Sequence, residues 1–144
     1  SRRLFFVPDP VEFKIETKSS LAKEAPWHPD NSKLGMREEK VNSGDTVYLP
    51  GEEIQKATEL RLKNLCNVTV ENKALKFSGF DHKQGNPIIQ WCCSHRKMEL
   101  FYPDGNSVKG VVEDNISELD GEVVQFERVG FVRLEGNKAF FLHR

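Results

Sequence analysis

Short runs of alternating apolar and polar residues, broken every few positions by turn-forming residues, recur along this chain, and no amphipathic helix of ordinary length can be assembled from them. Val11-Glu12-Phe13-Lys14-Ile15-Glu16 alternates strictly, so its apolar side chains share one face of a strand and its charges the other. Further strands are expected at Thr46 to Leu49, Leu60 to Lys63, Asn67 to Glu71, Ala74 to Phe80, Ile88 to Cys93 and Met98 to Tyr102. Ser107 to Val112, Val123 to Phe126, Gly130 to Glu135 and Ala139 to Leu142 complete the set. Only Glu52 to Leu60 and Ile116 to Leu119 could hold a helical turn or so. The fold class is therefore all-β, a sandwich or barrel.

The turns carry their own signals. Asp104-Gly105-Asn106, Glu135-Gly136-Asn137 and Ser43-Gly44-Asp45 supply residues that tolerate positive φ in tight hairpins. Pro8 and Pro10 bracket Asp9, which predicts an edge, bulge or corner there, because neither proline can donate to a ladder. Lys18 to Arg37 shows no sustained period and contains Pro26, Pro29 and Gly35, so it reads as a long connecting loop braced by His28 and Arg37.

With 38% hydrophobic and 30% charged residues over 144 positions, the chain has enough apolar material for a folded core. No apolar run approaches the ~20 residues of a membrane helix and no signal segment opens the chain, so a cytoplasmic, non-membrane protein is expected. Cys66, Cys92 and Cys93 are an odd number with two adjacent, which suits reduced thiols better than a disulfide framework. Net charge is −1, and on composition alone that argues for scattered, solvated charge rather than a nucleic-acid surface. Basic clusters at Arg2-Arg3, Arg61-Leu62-Lys63, Arg96-Lys97 and Arg128 to Arg133 would change this if folding gathered them on one face.

Chemistry has no anchor in the sequence. The histidines His28, His82, His95 and His143 lie far apart, with no paired cysteine motif, no metal-binding helix motif and no glycine-rich phosphate loop. Cys92 or Cys93 with His95 could be drawn as a thiolate and its base, but both cysteines end an apolar strand, where a thiol is usually an inert small hydrophobe. No catalytic residue and no metal ligand is therefore assigned.

Five blocks of residues carry a resemblance. Arg3-Leu4-Phe5-Phe6-Val7-Pro8-Asp9-Pro10-Val11 resembles the R-x-x-x-V-x-D-P-V lead-in to the anticodon-binding region of archaeal-type glutamyl-tRNA synthetases and glutaminyl-tRNA synthetases. His28-Pro29 with Leu34-Gly35-Met36-Arg37 is similar to that family's H-P…G-x-R loop. Leu60-Arg61-Leu62-Lys63-Asn64 and Ile88-Ile89-Gln90-Trp91 resemble two of its strands, and Gln125-Phe126-Glu127-Arg128-Val129-Gly130-Phe131 resembles its Q-F-E-R-x-G segment. The blocks occur in family order across almost the whole chain. The short stretch between Asn72 and Ile88 and the early stop after His143-Arg144 resemble the archaeal glutamyl branch more than the glutaminyl one. Most bacterial glutamyl enzymes, with a helical anticodon domain, are unlike this sequence.

The resemblance implies two small β-barrel subdomains of the kind seen in glutaminyl-tRNA synthetases and a related ribosomal protein. Residues 1–50 and 115–144 would form the barrel proximal to a catalytic domain, and 51–114 the distal one. It implies a monomer that reads the anticodon loop of tRNA for glutamate, working with an upstream catalytic domain that binds ATP. This segment itself carries no cofactor. Arg3, Gln125 and Arg128 match positions facing anticodon bases, and Arg61 and Lys63 match basic positions of the distal barrel. Lys63 stands where glutaminyl relatives have arginine, which reduces it to a point charge. The residues alone leave plainer roles open. Arg3 can be a loose terminal arginine, Arg61 a solvated strand residue, Trp91 core, and Arg128 a structural arginine paired with Glu127. Strict alternation sets Gln125 opposite Arg128, so both reach one RNA only if the chain bends after Phe126. The alternatives are a glutaminyl-tRNA synthetase domain, a free-standing RNA-binding barrel and a structural adaptor.

Overall fold

A computed structural model describes residues 2–26, 36–54, 58–93, 95–113 and 119–144. Among these there is no α-helix; the single helical feature is one 3-10 turn, Gly51–Glu53, at the start of the segment where a helical turn was expected. The strands are β1 (Arg3–Leu4), β2 (Phe6–Pro8), β3 (Pro10–Glu16), β4 (Leu21–Pro26), β5 (Met36–Val41), β6 (Thr46–Pro50), β7 (Glu59–Leu62) and β8 (Cys66–Glu71). They continue with β9 (Ala74–Gly79), β10 (Ile88–Ile89), β11 (His95–Phe101), β12 (Ser107–Glu113), β13 (Val123–Phe126), β14 (Gly130–Glu135) and β15 (Lys138–His143).

They form two nearly closed, barrel-shaped sheets. The terminal barrel has seven strands in the order β1-β13-β14-β15-β11-β12-β2, and the middle barrel six in the order β10-β7-β8-β9-β3-β6. Both edges of the terminal barrel are one stretch of chain: β1 runs parallel to β13, and β2, one residue on, runs antiparallel to β12. The middle barrel repeats the device, since β10 runs parallel to β7 and Cys92 bridges antiparallel to Tyr48 of β6. Each barrel thus closes with a short strap that satisfies first one sheet edge and then the other.

The expected Pro-Asp-Pro corner is where the chain passes between barrels. Asp9 takes φ 44, β2 ends at Pro8 and β3 starts at Pro10. The sheets consequently divide the chain elsewhere than at 50 and 115. β3 and β6 belong with the middle strands, and β11 and β12 belong with the C-terminal ones. Turn residues mark where strands end but carry no information about which distant strand each one joins, so this partition could not be read from them.

The hairpin turns fall where expected, with Gly44, Gly105 and Gly136 at φ 92, 90 and 59. The stretch expected to be a long loop instead contains β4 and β5, an antiparallel ribbon registered from Leu21↔Val41 to Pro26↔Met36. Its sequence is rich in lysine and glutamate, so backbone pairing rather than an apolar stripe defines it, and the period-two test misses such ribbons. Leu21 and Val41 are buried at its base. His28 lies outside the described residues.

Two cores result. Leu4, Phe6, Met98, Leu100, Phe126 and Val132 pack in the terminal barrel, with the Phe6 and Phe126 rings stacked at 5.1 Å. Ile15, Leu49, Leu62, Val68, Leu75 and Trp91 pack in the middle one, together with Phe5 and Val7. The N-terminal strap therefore divides its alternating side chains between the two cores.

Candidate nucleic-acid interface

Three turns converge where the barrels meet. The β13–β14 connection is Glu127-Arg128-Val129, closed by the Val129 amide donating to the Phe126 carbonyl at 3.0 Å, so the chain does bend after Phe126. Arg128 sits at φ 65, a left-handed conformation that costs a non-glycine residue about 1 kcal/mol and that recurs at functional sites. Facing it from the middle barrel are the 3-10 turn with Glu53, the β10 strap, and the β7–β8 turn, where Asn64 takes φ 63.

The polar contacts across this seam are specific. Arg128 Nη1 meets Glu53 Oε1 at 2.7 Å while Nη2 donates to the Ile88 carbonyl at 2.7 Å. Lys63 Nζ donates to Glu127 Oε2, and Lys63 also lies 5.7 Å from the centre of the Phe5 ring. The Lys63 amide donates to the Ile89 carbonyl at 3.0 Å and its own carbonyl accepts from Trp91 Nε1 at 2.9 Å. Trp91 is thus fully buried core, and Lys63 is fixed by the strap that Trp91 anchors. The partner expected for a structural Arg128, Glu127, is taken by Lys63, and Arg128 reaches across to Glu53 instead.

The remaining site residues lie on the same strands. Arg61 is registered against Ile88 of the strap, and its Nη1 donates to Asn67 Oδ1 at 3.0 Å and to the Phe80 carbonyl at 2.9 Å. Arg3 pairs with Gln125 in the β1–β13 register, its Nε donating to Gln125 Oε1 at 3.1 Å. That contact occupies the Gln125 oxygen and leaves its NH2 to offer. Of the five residues singled out from sequence, Lys63 and Arg128 bond across the seam, Arg61 bonds beside the strap, and Arg3 and Gln125 pair within the terminal barrel; none stands as an isolated solvated charge.

Between the barrels is a cleft of about 390 Å³ whose walls include Phe6, Tyr102, Glu53, Glu127, Arg128 and Gln90. Asp9 and Glu52 also face it. Carboxylates outnumber the guanidinium, so the cleft disfavours a phosphate and suits neutral groups with N–H donors. The Arg128 and Glu53 side chains are 48% and 40% exposed, and an exposed ion pair is worth only about 0–1 kcal/mol. A ligand can therefore take over either partner at little cost.

Sequence reasoning missed Glu53, Gln90 and the Ile88 carbonyl. Gln90 stood inside a quoted motif, whereas Glu53 lay in a segment read only as a possible helical turn. Cys66 and Cys92 are buried, and burial pushes the Cys66 thiol up to about 11, whereas Cys93 is only partly buried, with its Sγ 3.9 Å from Asp45 Oδ2.

Residues 1–81 match the sequence model of a family described as tRNA synthetases class I (E and Q), anti-codon binding domain. The chain belongs to that family. It is similar to the glutamate–tRNA ligase of Thermoplasma volcanium, 35% identical over 98% of this chain and 26% of the relative. The corresponding protein of Pyrococcus abyssi is 32% identical over 100% of this chain and 28% of its own length. That of Sulfolobus acidocaldarius is 36% identical over 96% and 26%. The chain spans about a quarter of the length of these curated relatives. The family match covers β1 to β9, and the similarity to the ligases runs through both barrels.

Proposed function

We propose that this chain reads the anticodon loop of tRNA for glutamate, as the C-terminal part of a glutamate–tRNA ligase whose ATP-dependent chemistry resides in a catalytic domain. The observation that carries this reading is Arg128, held in a strained turn over a carboxylate-lined cleft between the barrels. A phosphate anchor gains nothing from acidic walls. A residue that reads a base edge does, because bases offer N–H donors to carboxylates and carbonyls to a guanidinium. Arg128 reads the middle uridine, and Gln125 offers its amide NH2 from beside Arg3. Lys63 and Arg61 meet the flanking bases or phosphates.

Binding to tRNA should weaken with salt, by a slope of about 0.7 per phosphate neutralised. The decisive comparison is Arg128→Ala against tRNA with U or C at the middle anticodon base. Loss of a base-edge contact costs on the order of 1–3 kcal/mol of discrimination, so the preference for U should fall about tenfold or more while affinity for the C variant changes little. Equal losses on both RNAs would make Arg128 a phosphate anchor or a structural residue.

A further inference from the structure

The inter-barrel cleft holds a polar group that the assignments above do not use. Gln90 is 3% exposed, and its Nε2 is buried with no hydrogen-bond partner among the described residues. A bare buried donor weakens a fold, and interiors rarely keep one without a use. The neighbours of Gln90 are otherwise engaged: Ile89 and Trp91 lie in the middle core, and the Ile88 carbonyl holds Arg128. A methionine at this position would fill similar space with no orphan. Gln90 instead lines the cleft alongside Arg128, Glu53 and Glu127.

The cleft defines the missing acceptor. Its carboxylates repel an anionic oxygen, whether phosphate or carboxylate, while the partly exposed Tyr102, Val108 and Val129 offer apolar surface to a flat neutral ring. A neutral acceptor on such a ring is a nucleobase carbonyl. Uracil, cytosine and guanine carry one, and adenine does not. We propose that Gln90 is a base-specificity residue, whose Nε2 donates to the carbonyl oxygen of the unstacked base held in the cleft and so ranks adenine last there. This rests on the tRNA reading above and extends it to a residue on the second strap.

The test uses this chain and anticodon stem-loops of tRNA for glutamate, varied to each base at each anticodon position in turn. At one position the wild-type chain should prefer carbonyl-bearing bases over adenine by about tenfold. Gln90→Met should flatten that preference to within about twofold, leave the other positions unchanged, and raise the melting temperature because the bare donor is gone. Gln90→Glu, which exchanges donor for acceptor, should move the order toward adenine, which has an exocyclic amino donor and no carbonyl for the carboxylate to repel. Gln90→Met that keeps the wild-type preference, or loses affinity equally at every position, overturns the inference and leaves the tRNA reading standing. So does Gln90→Glu with an unchanged base order. A wild-type chain that binds the glutamate stem-loop no better than an unrelated one sinks both.

Discussion

The two barrels close in the same way and use their closing straps differently. Each strap pairs parallel with one sheet edge and antiparallel with the other. The N-terminal strap is occupied on both faces, with Leu4 and Phe6 in the terminal core and Phe5 and Val7 in the middle one. The second strap commits Ile89, Trp91 and Cys92 to the middle core, and turns the Ile88 carbonyl and the Gln90 side chain to the seam. One strap holds the barrels together, and the other has positions left over for recognition. Cleft and seam exist because two closed sheets are joined by elements that cannot all face inward.

The largest effect should come from the shared strap. Phe5→Ala leaves a cavity in the middle core from a residue tied to the terminal sheet, and should cost about 3–5 kcal/mol. Hydrogen exchange should then show weakened protection in both barrels, whereas Trp91→Ala should weaken chiefly the middle one; the same pattern for both variants would break the comparison. Next in size is Gly110→Ala, where the new Cβ would fall 2.4 Å from the Val7 carbonyl oxygen and 2.7 Å from the Phe6 ring. Prising β2 from β12 should cost about 1–3 kcal/mol in urea unfolding. Gly51→Ala in the middle barrel meets its neighbours only at 3.1 and 3.2 Å and should cost less.

Smaller still is Glu53→Ala, which frees Arg128 from an exposed pair. Stability should change by less than about 1 kcal/mol, and RNA affinity should shift by no more than about fivefold, the equivalent of that energy, because freeing Arg128 and losing a carboxylate acceptor oppose each other. The smallest effect concerns Glu59, whose carboxyl is held below the usual range by Asn86 and then by Lys83. A depressed folded-state value means that its contribution is present above the ordinary carboxylate range and is lost as pH falls through the folded value. Glu59→Gln should therefore lower stability slightly near neutrality and flatten its decline as pH falls below the ordinary carboxylate range, so that the two chains converge in acid.

Much of this architecture was legible because strands advertise themselves locally. Val11 to Glu16 and Gly130 to Glu135 are nearly where alternation put them, and the prolines flanking Asp9 marked the crossing between sheets. Sheet membership was not legible, since β3 and β9 pair in parallel across the intervening hairpins and nothing local records that partner. The Lys- and Glu-rich ribbon from Leu21 to Val41 lacked the apolar stripe that would have revealed it. Within the site, family resemblance supplied Arg128 and Lys63, and neither spacing nor composition supplied their partners. Glu53 and Glu127 are 74 positions apart in the chain, and only the closure of both barrels brings their turns to one cleft.

Hydrogen exchange with bound RNA tests the seam most directly as the site of anticodon reading. The Lys63, Glu127 and Val129 amides, bonded to the Ile89, Leu4 and Phe126 carbonyls, report on the seam, and the Lys14 amide, bonded to the Lys73 carbonyl, reports on the opposite end of β8. Saturation with the glutamate anticodon stem-loop should slow exchange at the first three by about tenfold or more while leaving Lys14 unchanged. Protection at Lys14 with an unaltered seam would contradict the assignment and move the RNA to the other end of the middle barrel.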